Sequence, residues 1–127
     1  MSTGKSGLSI VVVDDDPLIR LTLEAALTRH GYRVTTSGDP RAAASAGDPD
    51  AALIDAIIPG YSLSECIRLL CRRADGSARP ILVMSGSLTR PDELAGPGIG
   101  YLTKPIPLTA LLDAVEGLVA STSGTET

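Results

Sequence analysis

The chain has 127 residues, of which 43% are hydrophobic, and this size and composition predict one globular domain with a sizeable core. Its net charge of −4 at pH 7 and the lack of a basic stripe argue against nucleic-acid binding by this domain alone. No apolar run approaches the length of a membrane span, so we expect no membrane contact and a cytoplasmic protein.

Strand-like and helix-like patterns alternate along the chain, which predicts βαβ units and a parallel sheet. The predicted strands are residues 8–13, 33–36, 51–54, 80–84 and 99–103. Predicted helices begin at 17, 40, 62 and 107, and they end near 30, 47, 73 and 120. Aspartate followed by proline at 16–17 and 39–40 favours two of these helix starts, and a capping box of Ser62 with Glu65 favours a third.

The segment 87–98, between the fourth and fifth strands, is the weakest part of the pattern. It holds two prolines and two glycines, which predicts a short, frayed helix or a loop. We divide the chain into a flexible N-terminus at 1–7, a domain at 8–120 and a polar tail or linker stub at 121–127. Cys66 and Cys71 have no metal-like partner spacing, which indicates buried or half-buried thiols.

Reactive side chains follow four of the predicted strands. They are Asp14 and Asp15 after the first strand, Asp55 after the third, Ser85 after the fourth and Lys104 after the fifth. Ligands of an open parallel sheet lie beyond the carboxyl ends of the strands, so these side chains should share one edge. Adjacent carboxylates suit a hard cation such as Mg²⁺, and the remaining groups suit a phosphoryl group. In that chemistry a carboxylate such as Asp55 acts as the nucleophile.

Each of these residues also has a structural interpretation. The aspartate run 14–16 fits a solvated turn, with Asp16 as a helix cap, and Asp55 fits a turn cap. Ser85 and Lys104 fit an ordinary loop serine and a surface lysine. Their joint placement at four strand ends favours phosphoryl chemistry over four separate coincidences. The bond before Pro105 is a candidate cis peptide, because X-Pro bonds pay little for that geometry.

These motifs resemble the receiver domain of bacterial two-component response regulators. The resemblance runs from residue 10 to about residue 119. It rests on Val-Asp-Asp-Asp-Pro at 13–17, Leu-Ile-Asp at 53–55 with Pro-Gly at 59–60, Val-Met-Ser-Gly at 83–86 and Tyr-Leu-Thr-Lys-Pro at 101–105. It implies a flavodoxin-like α/β fold of three layers, with a doubly wound five-stranded parallel sheet in the order 2-1-3-4-5.

The same resemblance assigns a metal site and an acceptor. Asp55 would be the phosphoacceptor, and Asp15 would bind Mg²⁺ directly with Asp14 acting mainly through water. Asp55 itself and the backbone carbonyl of Ile57 would be further ligands. The donor would be a phosphohistidine of a histidine kinase or histidine phosphotransfer protein. The domain would catalyse only its own phosphorylation and dephosphorylation, so it would not be an enzyme in the usual sense.

The resemblance also assigns the switch. Lys104 would pair with the phosphate, Ser85 would move toward it, and Tyr101 would swing inward to signal to a downstream protein that the sequence does not identify. Three departures stand out, namely Ser62-Leu63 in place of a usual glycine, a shortened segment 85–104, and an apolar Ile57 two residues after the acceptor. The family normally signals or dimerises through its fourth helix, fifth strand and last helix, and the shortening thins that fourth helix, so we expect an unusual partner face. Receivers attached to hybrid histidine kinases show a similar shortening. We also expect Ile57 not to speed dephosphorylation.

Two other functions were weighed. A haloacid dehalogenase-type phosphohydrolase would use Asp14 as its nucleophile, with Ser85 and Lys104 as later motifs. Against it, the acids after Lys104 lie in a predicted helix, at Asp113 and Glu116, and Asp55 would have no role. The second alternative is a binding module that works without phosphorylation.

Overall fold

The computed structural model describes residues 7–86 and 98–123. Within these ranges the strands are β1 (Ser9–Val13), β2 (Arg33–Ser37), β3 (Ala51–Asp55), β4 (Ile81–Ser85) and β5 (Ile99–Thr103). The helices are α1 (Pro17–Arg29), α2 (Pro40–Ser45), α3 (Leu63–Leu70) and α4 (Leu108–Ser123). The strands form one parallel sheet in the order β2-β1-β3-β4-β5, which confirms the predicted α/β fold class.

The sheet is buried on both faces, which divides the core in two. Alternate residues of a strand point to opposite faces, so Ile10 and Val12 lie in one apolar cluster while Val11 and Val13 lie in the other. The first cluster includes Leu27 of α1 and Leu111 of α4. The second includes side chains of α2 and α3. Three layers result, and each fully buried aliphatic side chain contributes roughly 1.5–3 kcal/mol.

The helix starts follow the predicted local chemistry. The Asp16 carboxylate accepts the backbone N–H of Leu18 at 2.9 Å, and Pro17 occupies the first helical turn. Asp39 caps α2 in the same way, and Ser62 with Glu65 forms the predicted capping box of α3. These caps satisfy backbone donors that a helix leaves unpaired, so the turns between the strand ends and the helices are fixed locally.

Element ends differ from the predicted ones by short stretches. Helix α3 ends at Leu70, before the predicted end near residue 73, because Arg72 and Ala78 pair across an antiparallel turn. Helix α4 continues to Ser123, into the segment predicted as a polar tail. The prediction of a short or frayed helix at 87–98 concerns residues outside the described ranges, apart from Gly98. Among the helices that the structure describes, none has the length and hydropathy needed to span a membrane.

Candidate functional site

The register of the sheet brings four strand ends to the same edge. Val13 pairs with Ile54, and Asp55 pairs with Met84. Backbone hydrogen bonding continues one residue past the strands: Asp14 N donates to Ser37 O at 3.1 Å, and Lys104 N donates to Ser85 O at 2.6 Å. Asp55 and Ser85 are the last residues of β3 and β4, and Asp14 and Lys104 directly follow β1 and β5. The sheet register therefore brings these four residues to one edge.

The predicted acidic residues meet at this edge. Carboxylate oxygens of Asp14, Asp15 and Asp55 all lie within 4.8 Å of one another. The Lys104 Nζ atom lies 3.3 Å from Asp55 Oδ1 and 4.0 Å from Asp14 Oδ2. Three carboxylates and one ammonium leave an excess of negative charge in a small volume, which is an arrangement that a divalent cation would stabilise.

Asp14 carries most of the electrostatic cost of this arrangement. Its side chain is 1% exposed, and its Oδ1 atom accepts the backbone N–H of Asp16 at 2.9 Å. Oδ2 is buried without a hydrogen-bond partner. Burial raises the pKa of Asp14, and the nearby Asp55 carboxylate adds to that rise, while the Asp16 N–H and Lys104 oppose it. A buried carboxylate oxygen without a hydrogen-bond partner fits a position beside a hard cation and the waters that the cation holds.

The other predicted site residues surround this group. The Asp55 carboxylate also lies 3.3 Å from the backbone nitrogen of Ile57, whose side chain is 76% exposed. Ser85 is buried at the end of β4, and Tyr101 on β5 is half-buried against the apolar cluster of the α2 and α3 face. The peptide bond between Lys104 and Pro105 is cis, as predicted.

The structure adds Arg20, a residue that the sequence analysis did not select. Its Nη1 atom donates to the backbone oxygen of Asp14 at 2.7 Å. Side chains of a helix tilt toward its N-terminus, so an arginine one turn inside α1 can reach back over the preceding loop. That tilt, with the Asp16 cap, was the sequence signal that could have indicated the contact.

Tyr61 is a second addition, in the loop after β3. Its hydroxyl donates to the Asp39 carboxylate that caps α2. This hydrogen bond lowers the pKa of Asp39 and raises the pKa of Tyr61. The loop that carries Ile57 is thereby tied to the start of α2. The two residues are distant in sequence, and no pattern in the chain links them.

Comparison with known proteins identifies the type of domain. The response regulator receiver domain family matches residues 10–116. Protein PilH of Pseudomonas aeruginosa is 32% identical over 117 residues, which cover 87% of this chain and 97% of that protein. Transcriptional regulatory protein TcrA of Mycobacterium tuberculosis is 37% identical over 120 residues, which cover 89% of this chain and 46% of TcrA. The chain thus spans almost all of one relative and about half of the other.

Solved structures show the same fold. The chemotaxis response regulator CheY4 of Vibrio cholerae superposes with a TM-score of 0.79 at 24% identity, covering 89% of this chain and 99% of that one. The receiver domain of the sensor histidine kinase PA1611 from Pseudomonas aeruginosa, whose structure has a magnesium ion coordinated in its active site cleft, gives a TM-score of 0.75 at 26% identity, covering 91% and 99%. With its sheet order, its grouped strand-end residues and a family match over most of its length, this chain belongs to the response regulator receiver domains of two-component signalling.

Proposed function

We propose that Asp55 accepts a phosphoryl group from a phosphohistidine, with Mg²⁺ held by the neighbouring carboxylates. The observation that carries this proposal is the position of Lys104 Nζ, 3.3 Å from Asp55 Oδ1, beside the grouped oxygens of Asp14 and Asp15. The Asp55 carboxylate thus lies beside one ammonium group and beside two further carboxylates whose oxygens could bind a cation. That combination suits a nucleophile whose product carries added negative charge.

The residues present fit Mg²⁺. All the candidate ligands are oxygens, and Asp14 offers a buried oxygen that no hydrogen bond occupies. Asp15 would bind the ion directly and Asp14 mainly through water, while Asp55 and the Ile57 backbone carbonyl would complete the protein ligands. When bound, the ion neutralises charge on the phosphoryl oxygens during transfer.

The chemical step is a displacement at phosphorus. An oxygen of Asp55 forms a bond to phosphorus while the bond between phosphorus and the donor imidazole nitrogen breaks. The imidazole leaves with the electron pair and is protonated by solvent. Lys104 stabilises the charge that spreads over the transferring oxygens. Water later hydrolyses the acyl phosphate, so the domain catalyses only its own phosphorylation and dephosphorylation.

The output of this reaction is a change of conformation. The Ser85 hydroxyl and the Lys104 ammonium would contact the phosphoryl group, and Tyr101 would move as Ser85 moves. Such contacts shift an equilibrium only as far as they differ between the two conformations. The donor is a histidine kinase or histidine phosphotransfer protein, and the phosphorylated domain signals to a downstream protein.

The proposal is tested by locating the modified residue. The protein is incubated with acetyl phosphate and Mg²⁺, and the modified peptide is identified by mass spectrometry. We expect one phosphoryl group on Asp55, no modification in EDTA and none in Asp55→Asn. The control is Asp113→Asn, which removes an exposed carboxylate of α4 and should leave the reaction unchanged.

Two outcomes would replace the proposal. A phosphoryl group on Asp14 would support the dehalogenase-type alternative. The metal-capable acidic group among the described residues includes Asp55 and excludes Asp113, which speaks against that alternative. The second outcome is that neither acetyl phosphate nor beryllofluoride changes the protein, as judged by mass and by NMR shifts. That result would support a binding module that works without phosphorylation.

A further inference from the structure

Arg20 directs its charge at a neutral group, the backbone oxygen of Asp14. Its Nη1 atom donates to that oxygen at 2.7 Å. Within the described ranges Arg20 makes no ion pair, while Lys104 lies near both Asp14 and Asp55. An arginine that binds a backbone oxygen and pairs with no carboxylate is placed to hold that backbone.

The contact completes a set of restraints on one residue. Asp14 donates its backbone N–H to Ser37 O at 3.1 Å, and its Oδ1 accepts the N–H of Asp16. With its backbone oxygen held by Arg20, the remaining polar atom is Oδ2, which lacks a hydrogen-bond partner. The peptide unit that joins Asp14 to Asp15 is planar, so holding its oxygen also orients the start of Asp15.

Gly38 leaves the space that the guanidinium occupies. A Cβ atom built on Gly38 would lie 2.9 Å from Arg20 Nη1 and 3.7 Å from Asp14 O. The first distance is shorter than van der Waals contact allows, so a side chain there would push the guanidinium away. Gly38 does not have a positive φ, so its backbone conformation would accept a side chain. What excludes a side chain here is the space that the guanidinium takes.

We propose that Arg20 is a positioning residue for the cation site, and that it acts by fixing the Asp14–Asp15 peptide so that both carboxylates face Asp55. This inference rests on the proposed function, because it takes the carboxylates to bind Mg²⁺. Arg20 touches neither the phosphoryl group nor the ion in this account. Its effect passes through the backbone of the two aspartates.

A positioning role and a purely electrostatic role predict opposite signs. Arg20 is a cation close to a cation site, so removing its charge alone should strengthen Mg²⁺ binding. Removing the hold on the Asp14–Asp15 peptide should weaken it, since loss of a residue that orients metal ligands typically costs about 10-fold to 100-fold in affinity. The sign of the change therefore separates the two roles.

The experiment compares four variants by Mg²⁺ titration at constant ionic strength, followed by NMR, with urea unfolding in EDTA measured alongside. Arg20→Met removes the donor, and Arg20→Lys keeps a charged donor. Gly38→Ala keeps the arginine but occupies its space. Arg29→Met removes an exposed arginine from the last turn of α1 and serves as the matched control.

We expect the Mg²⁺ dissociation constant to rise about tenfold in Arg20→Met and Gly38→Ala. Arg20→Lys should recover part of the loss, and Arg29→Met should match the parent. Equal or tighter binding by Arg20→Met overturns the inference while the proposed function stands. If Arg20→Met does not fold, Gly38→Ala decides in the same way. A parent protein that binds no Mg²⁺ overturns the proposed function and this inference together.

Discussion

The two ends of the sheet use the same kinds of charged residue to opposite effect. The carboxyl-end cluster holds three carboxylates and one ammonium: Asp14, Asp15, Asp55 and Lys104. The amino-end cluster holds two carboxylates and two guanidinium groups: Asp48, Asp50, Arg73 and Arg79. One end therefore carries an excess of negative charge and the other is balanced, although both are packed against the same sheet.

Within the amino-end cluster, Arg79 is fully hydrogen-bonded. Arg79 is 5% exposed, and each of its guanidinium nitrogens has an acceptor. Nε donates to Pro49 O at 2.8 Å, Nη1 to Leu70 O at 2.8 Å, and Nη2 to the Asp48 carboxylate at 2.6 Å. The arginine thus joins the turn before β3, the end of α3 and the start of β4. Arg73 Nε is buried without a hydrogen-bond partner, but the same guanidinium lies 3.1 Å from the Asp50 carboxylate through Nη2. The positive and negative charges of this cluster therefore balance, and the cluster stabilises the fold.

The carboxyl-end cluster has no such balance of charge, because its three carboxylates face one ammonium. Asp14 Oδ2 has no hydrogen-bond partner, and burial raises the pKa of that carboxyl. Natural proteins depart from the rules of polar satisfaction chiefly at functional sites. The same residue types therefore indicate a structural role where their charges are balanced and a functional role where they are not.

The largest test of this contrast is Arg79→Met at the amino end. The variant leaves two carbonyl oxygens without their donor and takes one of two donors from Asp48, which keeps the backbone N–H of Ala74. We expect a loss of about 3 kcal/mol in the free energy of unfolding. Asp48 is 38% exposed and can regain water, which keeps the loss at the lower end of the usual range. Urea unfolding in EDTA measures it. Arg68→Met, at an exposed position of α3, is the control and should change stability little; equal losses in both would contradict the contrast.

Most of this arrangement followed from the sequence because it rests on local patterns. Alternating strands and helices, the Asp-Pro caps and the polar residues at strand ends all lie within short windows, and they predicted both the fold and the carboxyl-end cluster. The conserved geometry of a parallel sheet then brought distant strand ends together. Asp14, Asp55 and Lys104 were predicted to meet for that reason.

The amino-end cluster did not follow from the sequence because loop contacts have no period. Asp48 and Arg79 are 31 positions apart, and neither belongs to a motif. Arg73 was interpreted only as a mark of the end of a helix, although it lies 3.1 Å from Asp50. The Arg20 contact was also missed, since it joins a side chain to a backbone oxygen, and its one sequence signal was the position of Arg20 in the first turn after the Asp16 cap.

Magnesium gives the second test, since it should bind the folded protein only at the end of the sheet that carries excess negative charge. At 100 times its dissociation constant, a ligand that binds only the folded state adds about 2.7 kcal/mol to the free energy of unfolding. We expect that gain in the parent and in Arg79→Met, and none in Asp15→Asn. Urea unfolding with Mg²⁺ or with EDTA measures the gain. A full gain in Asp15→Asn would place the binding site elsewhere.

Asp14→Asn is the third test, because it removes the buried charge but keeps an oxygen for the Asp16 N–H. The pKa of Asp14 is raised in the folded state, so its ionisation favours unfolding. That penalty is absent below the ordinary value of 3.8 and grows as the pH rises through the higher folded value. We expect Asp14→Asn to stabilise the protein in EDTA by about 1 kcal/mol at neutral pH.

The pH dependence of that gain is what identifies its cause. The advantage of Asp14→Asn over the parent should shrink as the pH falls toward 3.8. The control Asp113→Asn, at an exposed position, should show no comparable gain. A stabilisation by Asp14→Asn that is equally large in acid would mean that burial of the charge is not its source.

The smallest effect is expected from Tyr61→Phe. This variant tests whether the pKa of an aspartate is set by its hydrogen-bond partners or by the end of the sheet at which it lies. Asp39 lies at the same end as Asp14, yet its pKa is lowered, chiefly by the hydrogen bond from Tyr61. A carboxyl with a lowered folded pKa contributes stability above its unfolded value of 3.8, and loses it as the pH falls through the lower folded value. The parent should therefore be more stable than Tyr61→Phe at neutral pH, and this difference should shrink in acid.

The control is an Asp39→Asn background, in which the effect of Tyr61→Phe should not change between neutral and acidic pH, because the carboxyl that titrates is gone. If the difference between parent and Tyr61→Phe instead grew in acid, the two aspartates would respond alike. Their shared position would then explain more than their partners do.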